Sequence, residues 1–144
     1  MKKIVIALCL VLGIFSTISA QKTTHIDELL KFKNDVYDFG KISFGKPATY
    51  TIEFTNTSKD TITLVNARPG CGCTTPNFKP NEKIPPGKIG QVQITFNGSA
   101  MGTFTRATLL EFSNGLEKQT QFSGEGIAIT NAPTAPIINS PIKQ

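Results

Sequence analysis

The sequence predicts an all-β chain that folds as an immunoglobulin-like β-sandwich of about seven antiparallel strands over residues 35–130. Three observations predict it. Apolar side chains recur at every second position in several short runs, which puts one face of each run in a core and the other in water. The breaks between runs carry Asn, Gly and Pro, the residues of tight turns. No long stretch has helical spacing, and many short strands joined by turns favour a sandwich, with a small barrel as the competing closure.

The first twenty residues stand apart from that pattern. Met1, Lys2 and Lys3 are followed by an almost wholly apolar run from Ile4 to Phe15, then by small residues up to Ala20. Basic, apolar and small in that order is the pattern of a cleavable secretory signal, here residues 1–20. The apolar run is short of the roughly 20 residues of a membrane span, so an uncleaved anchor is the weaker reading and no span is expected after cleavage. Cys9 lacks the small preceding residue of a lipoprotein site. Residues 21–34 read as a polar lead-in, either a mobile tether or one turn of helix through Ile26, Leu29 and Leu30 capped by Thr24.

The strands follow in order. Tyr37 and Phe39 flank Asp38 before Gly40; Tyr50, Ile52 and Phe54 alternate with Thr51, Glu53 and Thr55; Ile62 and Leu64 alternate with Thr61 and Thr63. Val92, Ile94 and Phe96 alternate with Gln91, Gln93 and Thr95; Phe104, Thr108, Leu110 and Phe112 share one parity; Phe122, Ile127 and Ile129 close the domain. Thr, Val, Ile and Phe suit a pleated surface. Asn56 to Asp60, Pro85-Pro86-Gly87, Asn97-Gly98 and Asn114-Gly115 supply the turns, the last as a hairpin. Residues 131–144, with Pro133, Pro136 and Pro141, read as a flexible tail, or as an extended segment with a short strand at Pro136 to Asn139.

Charge and inventory narrow the function. The formal net charge of +5 falls to +3 without Lys2 and Lys3, and the basic residues are scattered. That is no nucleic-acid footprint. The one imidazole, His25, lies in the lead-in, so a Ser/His/Asp triad has no placed base. Glu53 and Glu111 fall on outward positions and read as solvated. The expectation is therefore no enzyme and no cofactor, and a protein or envelope component as partner. Asn56-Thr57-Ser58 and Asn97-Gly98-Ser99 match the N-glycosylation pattern, which chance also produces.

Cys71-Gly72-Cys73, followed by Thr74-Thr75-Pro76, is the one motif with chemistry. On an extended chain the two Cα atoms would be about 6.6 Å apart, near the upper end of the roughly 4.4–6.8 Å that disulfides span. A fold at Gly72 would bring them closer. Three readings stand side by side: a structural dithiol or local disulfide, a redox pair exchanging disulfides outside the cytosol, and a Cu(I) pair, two ligands being too few for a closed zinc site.

Seven strings, the Cys-Gly-Cys one among them, fall in a familiar order: Tyr37-Asp38-Phe39-Gly40-Lys41-Ile42, Phe54-Thr55-Asn56-Thr57-Ser58, Cys71-Gly72-Cys73-Thr74-Thr75-Pro76, Pro85-Pro86-Gly87-Lys88 with Gly90 to Asn97, and Asn114-Gly115 with Phe122-Ser123-Gly124-Glu125-Gly126. Over about Val36 to Ile129 the chain resembles the exported bacterial domain of unknown function 1573 family, similar to Hydin-like and major-sperm-protein-like immunoglobulin folds. The resemblance implies a seven-stranded sandwich and a home in the periplasm, the envelope or the medium. It implies no established activity. Asp60-Thr61-Ile62 also resembles an O-glycosylation pattern of exported bacterial proteins, which would place a sugar on Thr61. The functional expectation is a non-enzymatic exported binding or structural module of the bacterial cell envelope; the alternative is a thiol-disulfide or Cu(I)-handling protein acting through the Cys-Gly-Cys motif.

Overall fold

Period-two patterning resolves into two sheets packed face to face. The structure, a computed structural model, describes residues 25–128. After a single helical turn α1 (Ile26–Leu29) come β1 (Leu30–Lys33), β2 (Val36–Ser43), β3 (Ala48–Asn56), β4 (Ile62–Pro69), β5 (Thr74–Asn77), β6 (Glu82–Ile84), β7 (Ile89–Phe96), β8 (Gly102–Phe112) and β9 (Glu117–Ile127). One sheet runs β1-β3-β7-β5 and the other β2-β9-β8-β4-β6. The signal segment, Thr24 and the Pro-rich tail lie outside the described residues.

The inward parity of each strand makes the core. Ile52, Phe54, Val92, Ile94 and Phe96 of the first sheet meet Leu64, Leu110, Phe112 and Phe122 of the second, and all are essentially inaccessible. Aromatic edges join the layers, with Phe54 against Phe112 at 5.2 Å and Phe96 against Phe122 at 5.7 Å between ring centroids. Such pairs add about 0.5–1.5 kcal/mol each beyond the area they bury. Tyr37 of β2 stacks on Tyr50 of β3 at 4.6 Å. The predicted hairpin forms at Asn114-Gly115, both at positive φ.

Three features depart from the sequence expectation. Nine strands, rather than about seven, form among the described residues, because β1, β5 and β6 have only four, four and three residues. The pairing is not wholly antiparallel, since β2 runs parallel to β9. The described part of the lead-in, residues 25–34, is not a tether: Leu30 pairs with Asn56 in β1, Ile26 and Leu30 are buried, and the sandwich begins at residue 30. His25, not Thr24, occupies the cap position of α1, without a side-chain cap bond. Helical spacing of Ile26, Leu29 and Leu30 was a correct signal for one turn. It concealed that the next four residues turn into a strand which buries Leu30 and packs Phe32 on the core.

Asn56 explains two of the turn motifs. Its side chain is wholly buried at the end of β3. Nδ2 donates to the carbonyls of Asp60 and Ile84, both at 2.8 Å, while Oδ1 accepts from the Ser58 amide and hydroxyl. The Asn56 amide donates to Lys88, and the Gly87 amide donates back to Asn56. The turn at Asn56 to Asp60 and the Pro-Pro-Gly turn are thus tied through one satisfied buried amide. A buried amide nitrogen with both donors committed is no acceptor for a glycan. Thr61, by contrast, is exposed just before β4.

Candidate functional site

The Cys-Gly-Cys segment is the crossover between the two sheets. β4 ends at Pro69 in the five-stranded sheet and β5 begins at Thr74 in the four-stranded one, so residues 70–73 bridge the layers at one end of the sandwich. Three backbone bonds hold it: Gly70 N–H to Ala107 O at 2.9 Å, Asn97 N–H to Cys73 O at 3.0 Å and Thr74 N–H to Cys71 O at 3.3 Å. Cys71 and Cys73 form a disulfide with their Cα atoms 5.2 Å apart. The chain is folded there, as the sequence allowed. Gly72 itself is exposed, and a Cβ on it would meet nothing within 4 Å.

That bridge is a weak staple. In the chain-entropy picture a loop of about three residues contributes roughly 1.6 kcal/mol, against about 3 kcal/mol for a 15-residue loop. The crossover is already tied by its backbone bonds. As a disulfide the pair presents no thiolates to Cu(I). Both cysteines are half-buried. The Thr74 side chain is buried beside them, its Oγ1 3.5 Å from Cys71 Sγ and 3.8 Å from Cys73 Sγ.

Pro76 has a different purpose. β5 is a sheet edge, and in an antiparallel ladder alternate residues turn their N–H groups outward. The Asn97-to-Cys73 bond fixes the phase, with Thr75 and Asn77 facing β7 and Thr74 and Pro76 facing out. Thr74 has spent its N–H on Cys71, and Pro76 has none. This edge offers no donor to an incoming strand. The other edges are also blunted. β1 and β6 are short, and β2 is broken by a bulge between Asp38 and Lys41, where the Gly40 amide, at positive φ, donates to Asp38 Oδ1 at 2.9 Å.

One open surface is the outer face of the four-stranded sheet. Thr51, Gln93 and Asn77 stand in one cross-strand row over β3, β7 and β5. With Gln91, Phe78 and Ile89 they line a groove of about 500 Å³, and Lys79 and Glu82 complete its rim. Ile89 is 61% exposed and Phe78 is half-buried against the core. Gln91 donates to Glu53 at 2.8 Å, and Lys33 pairs with the same carboxylate at 3.5 Å. The second outward carboxylate, Glu111, is held by Asn66 at 2.8 Å and by an ion pair with Arg68. Both are structural. Sequence reasoning placed Thr51, Gln91 and Gln93 outward, but the groove needs the loop after β5, whose position no periodicity reports. Among the described residues no three His, Cys, Asp or Glu side chains cluster as a metal set, and no helix is long and apolar enough to cross a membrane.

Comparison with known proteins agrees with this geometry. The chain is similar to part of the Vibrio cholerae VesB protease structure at 10% identity and a TM-score of 0.59, over 71% of this chain and 33% of that one. It is similar to a Porphyromonas gingivalis W83 protein of unknown function at 13% identity and 0.58, over 67% of this chain and 46% of that one. It is also similar to the ASH/PapD-like domain 7 of human CEP192 at 14% identity and 0.57, over 79% of this chain and 96% of that domain. At such identities the likeness is one of fold. The chain spans a third of the VesB structure and under half of the Porphyromonas one. No curated protein matches it. The family described as Protein of unknown function (DUF1573) matches over residues 30–127, from the first residue of β1 to the last of β9. The chain belongs to that family.

Proposed function

We propose that this protein is a non-enzymatic exported binding or structural module of the bacterial cell envelope, and that it makes contact through the outer face of its four-stranded sheet. One observation carries this reading: the groove over β3, β7 and β5 is open and mixes amide, hydroxyl and apolar side chains, while the sheet edges are short, bulged or without donors. Strand addition to an exposed sheet edge is one recurring way of binding a peptide, and here it is blunted. Concave surfaces with a few polar groups among apolar ones are the ordinary alternative. The signal-like pattern of residues 1–20 supports the export part of the reading.

Affinity capture from native envelope extracts tests this. Thr51→Arg with Gln93→Arg fills the groove from two exposed or half-exposed positions and should abolish capture without lowering the urea midpoint. Cys71→Ser with Cys73→Ser should leave capture intact. Capture unaffected by the arginine pair overturns the reading.

A further inference from the structure

We propose that Cys71–Cys73 is an exchange-competent disulfide, that its substrate is a dithiol protein, and that Cys71 is the sulfur attacked. This goes beyond the binding reading and does not depend on it. The pair closes a loop with one intervening residue on a crossover that three backbone bonds already hold, so opening it leaves the sandwich tied. The two sulfurs are also unequal. Cys73 packs against the hydrophobic core. Cys71 lies between exposed Gly70 and Gly72, whereas Cys73 lies between Gly72 and the buried Thr74. A thiolate must approach a disulfide along the S–S axis, opposite the sulfur that leaves. With Cys73 on the core side, approach from solvent is to Cys71, with Cys73 as the leaving sulfur, and this order is part of the proposal.

The step balances as follows. A partner thiolate forms a bond to Cys71 Sγ. The Cys71–Cys73 bond breaks, and its electron pair leaves on Cys73 Sγ as thiolate. The buried Thr74 hydroxyl, 3.8 Å from Cys73 Sγ and 3.5 Å from Cys71 Sγ, donates to the charge that develops. The partner's second thiolate then attacks its own sulfur in the mixed disulfide and releases Cys71. Two electrons and two protons pass to this chain, and the partner's dithiol becomes a disulfide. Thr74 acts here directly on the reacting sulfur, by stabilising a thiolate with a charge-assisted hydrogen bond.

Three measurements on the folded protein test the proposal together. With dithiothreitol as the dithiol and no denaturant, the bridge should open, read by alkylation and intact mass. Thr74→Val should slow opening about tenfold, the loss of one hydrogen bond to a charged group, and Thr74→Ser should restore it, at an unchanged urea midpoint. With oxidised glutathione, the free Cys71 of Cys73→Ser should form a mixed disulfide at least tenfold faster than the free Cys73 of Cys71→Ser. A bridge that resists dithiothreitol until the protein unfolds overturns the proposal. Equal rates for the two single variants, or a Thr74→Val rate equal to wild type, overturns it as well.

Discussion

Asn56 Nδ2 donates to the Ile84 carbonyl at 2.8 Å, and this single bond joins the end of β3 in one sheet to the end of β6 in the other. Because the Asn56 side chain is inaccessible and its remaining capacity goes to Asp60 and Ser58, no water can replace a lost partner. Asn56→Asp turns two donated bonds into carboxylate–carbonyl repulsion. We expect a loss of about 3 kcal/mol, measured as a fall in urea midpoint at constant m-value, and no sugar on Asn56 by intact mass.

Lys118 ties the lead-in to the sandwich. Its ammonium lies 2.6 Å from Asp27 and 3.0 Å from Asp35, and 4.9 Å over the Phe32 ring. Burial pulls its pKa down, but the two carboxylates outweigh burial and hold it above its usual value. Lys118→Met keeps the packing and removes the charge. Since Asp27 is largely exposed, the expected cost is only about 1 kcal/mol. The signature is local: amide exchange should quicken over residues 26–33 and stay unchanged in β7 and β8.

Tyr50 should weaken the fold at alkaline pH. Burial pushes its phenol up to about 12, the nearby Thr120 hydroxyl opposes that, and the Asp35 carboxylate adds to it. The Tyr50 hydroxyl makes no hydrogen bond of full geometry, and Thr120 donates its proton to the Thr108 carbonyl instead. A raised folded pKa means stability is complete below the unfolded value near 10 and is lost as pH rises through 12. Tyr50→Phe should flatten that fall by about 2 kcal/mol and leave the smaller share that Lys118 contributes in the same direction. Urea midpoints between pH 8 and 11.5 decide it.

Two glycines give opposite predictions. A Cβ on Gly126 would lie 1.8 Å from the Ala100 carbonyl oxygen, a backbone atom that cannot rotate away. Gly126→Ala should cost about 3 kcal/mol. Gly72→Ala meets open space and should change the urea midpoint by no more than about 0.5 kcal/mol. The double variant Cys71→Ser with Cys73→Ser should lose no more than about 2 kcal/mol, the limit for so short a loop.

Much of this molecule was legible in its residues. The long strands declared themselves because Ile52, Phe54, Val92, Ile94 and Leu110 alternate with polar neighbours, and burial on one face enforces that period. The short strands did not: four residues such as Leu30 to Lys33 give too few repeats to separate period two from a helical turn. Tyr37 and Phe39 revealed a strand but not its direction, since parallel and antiparallel partners ask the same parity of β2. Asn56 read as turn chemistry because its value comes from Ile84, 28 positions away. The Cys71–Cys73 spacing allowed a bridge without deciding it. The groove was hidden for the same reason as Asn56, being assembled from β3, β5 and β7 only when the sheet forms.

The most direct measurement is photo-crosslinking in the native envelope, with a diazirine side chain placed in turn at Gln93 on the sheet face and at Val36 on the β2 edge. Adducts at position 93, with none at position 36, are what a face-binding sandwich gives. Adducts confined to position 36 would mean that the bulged edge takes the partner after all, and would contradict the account.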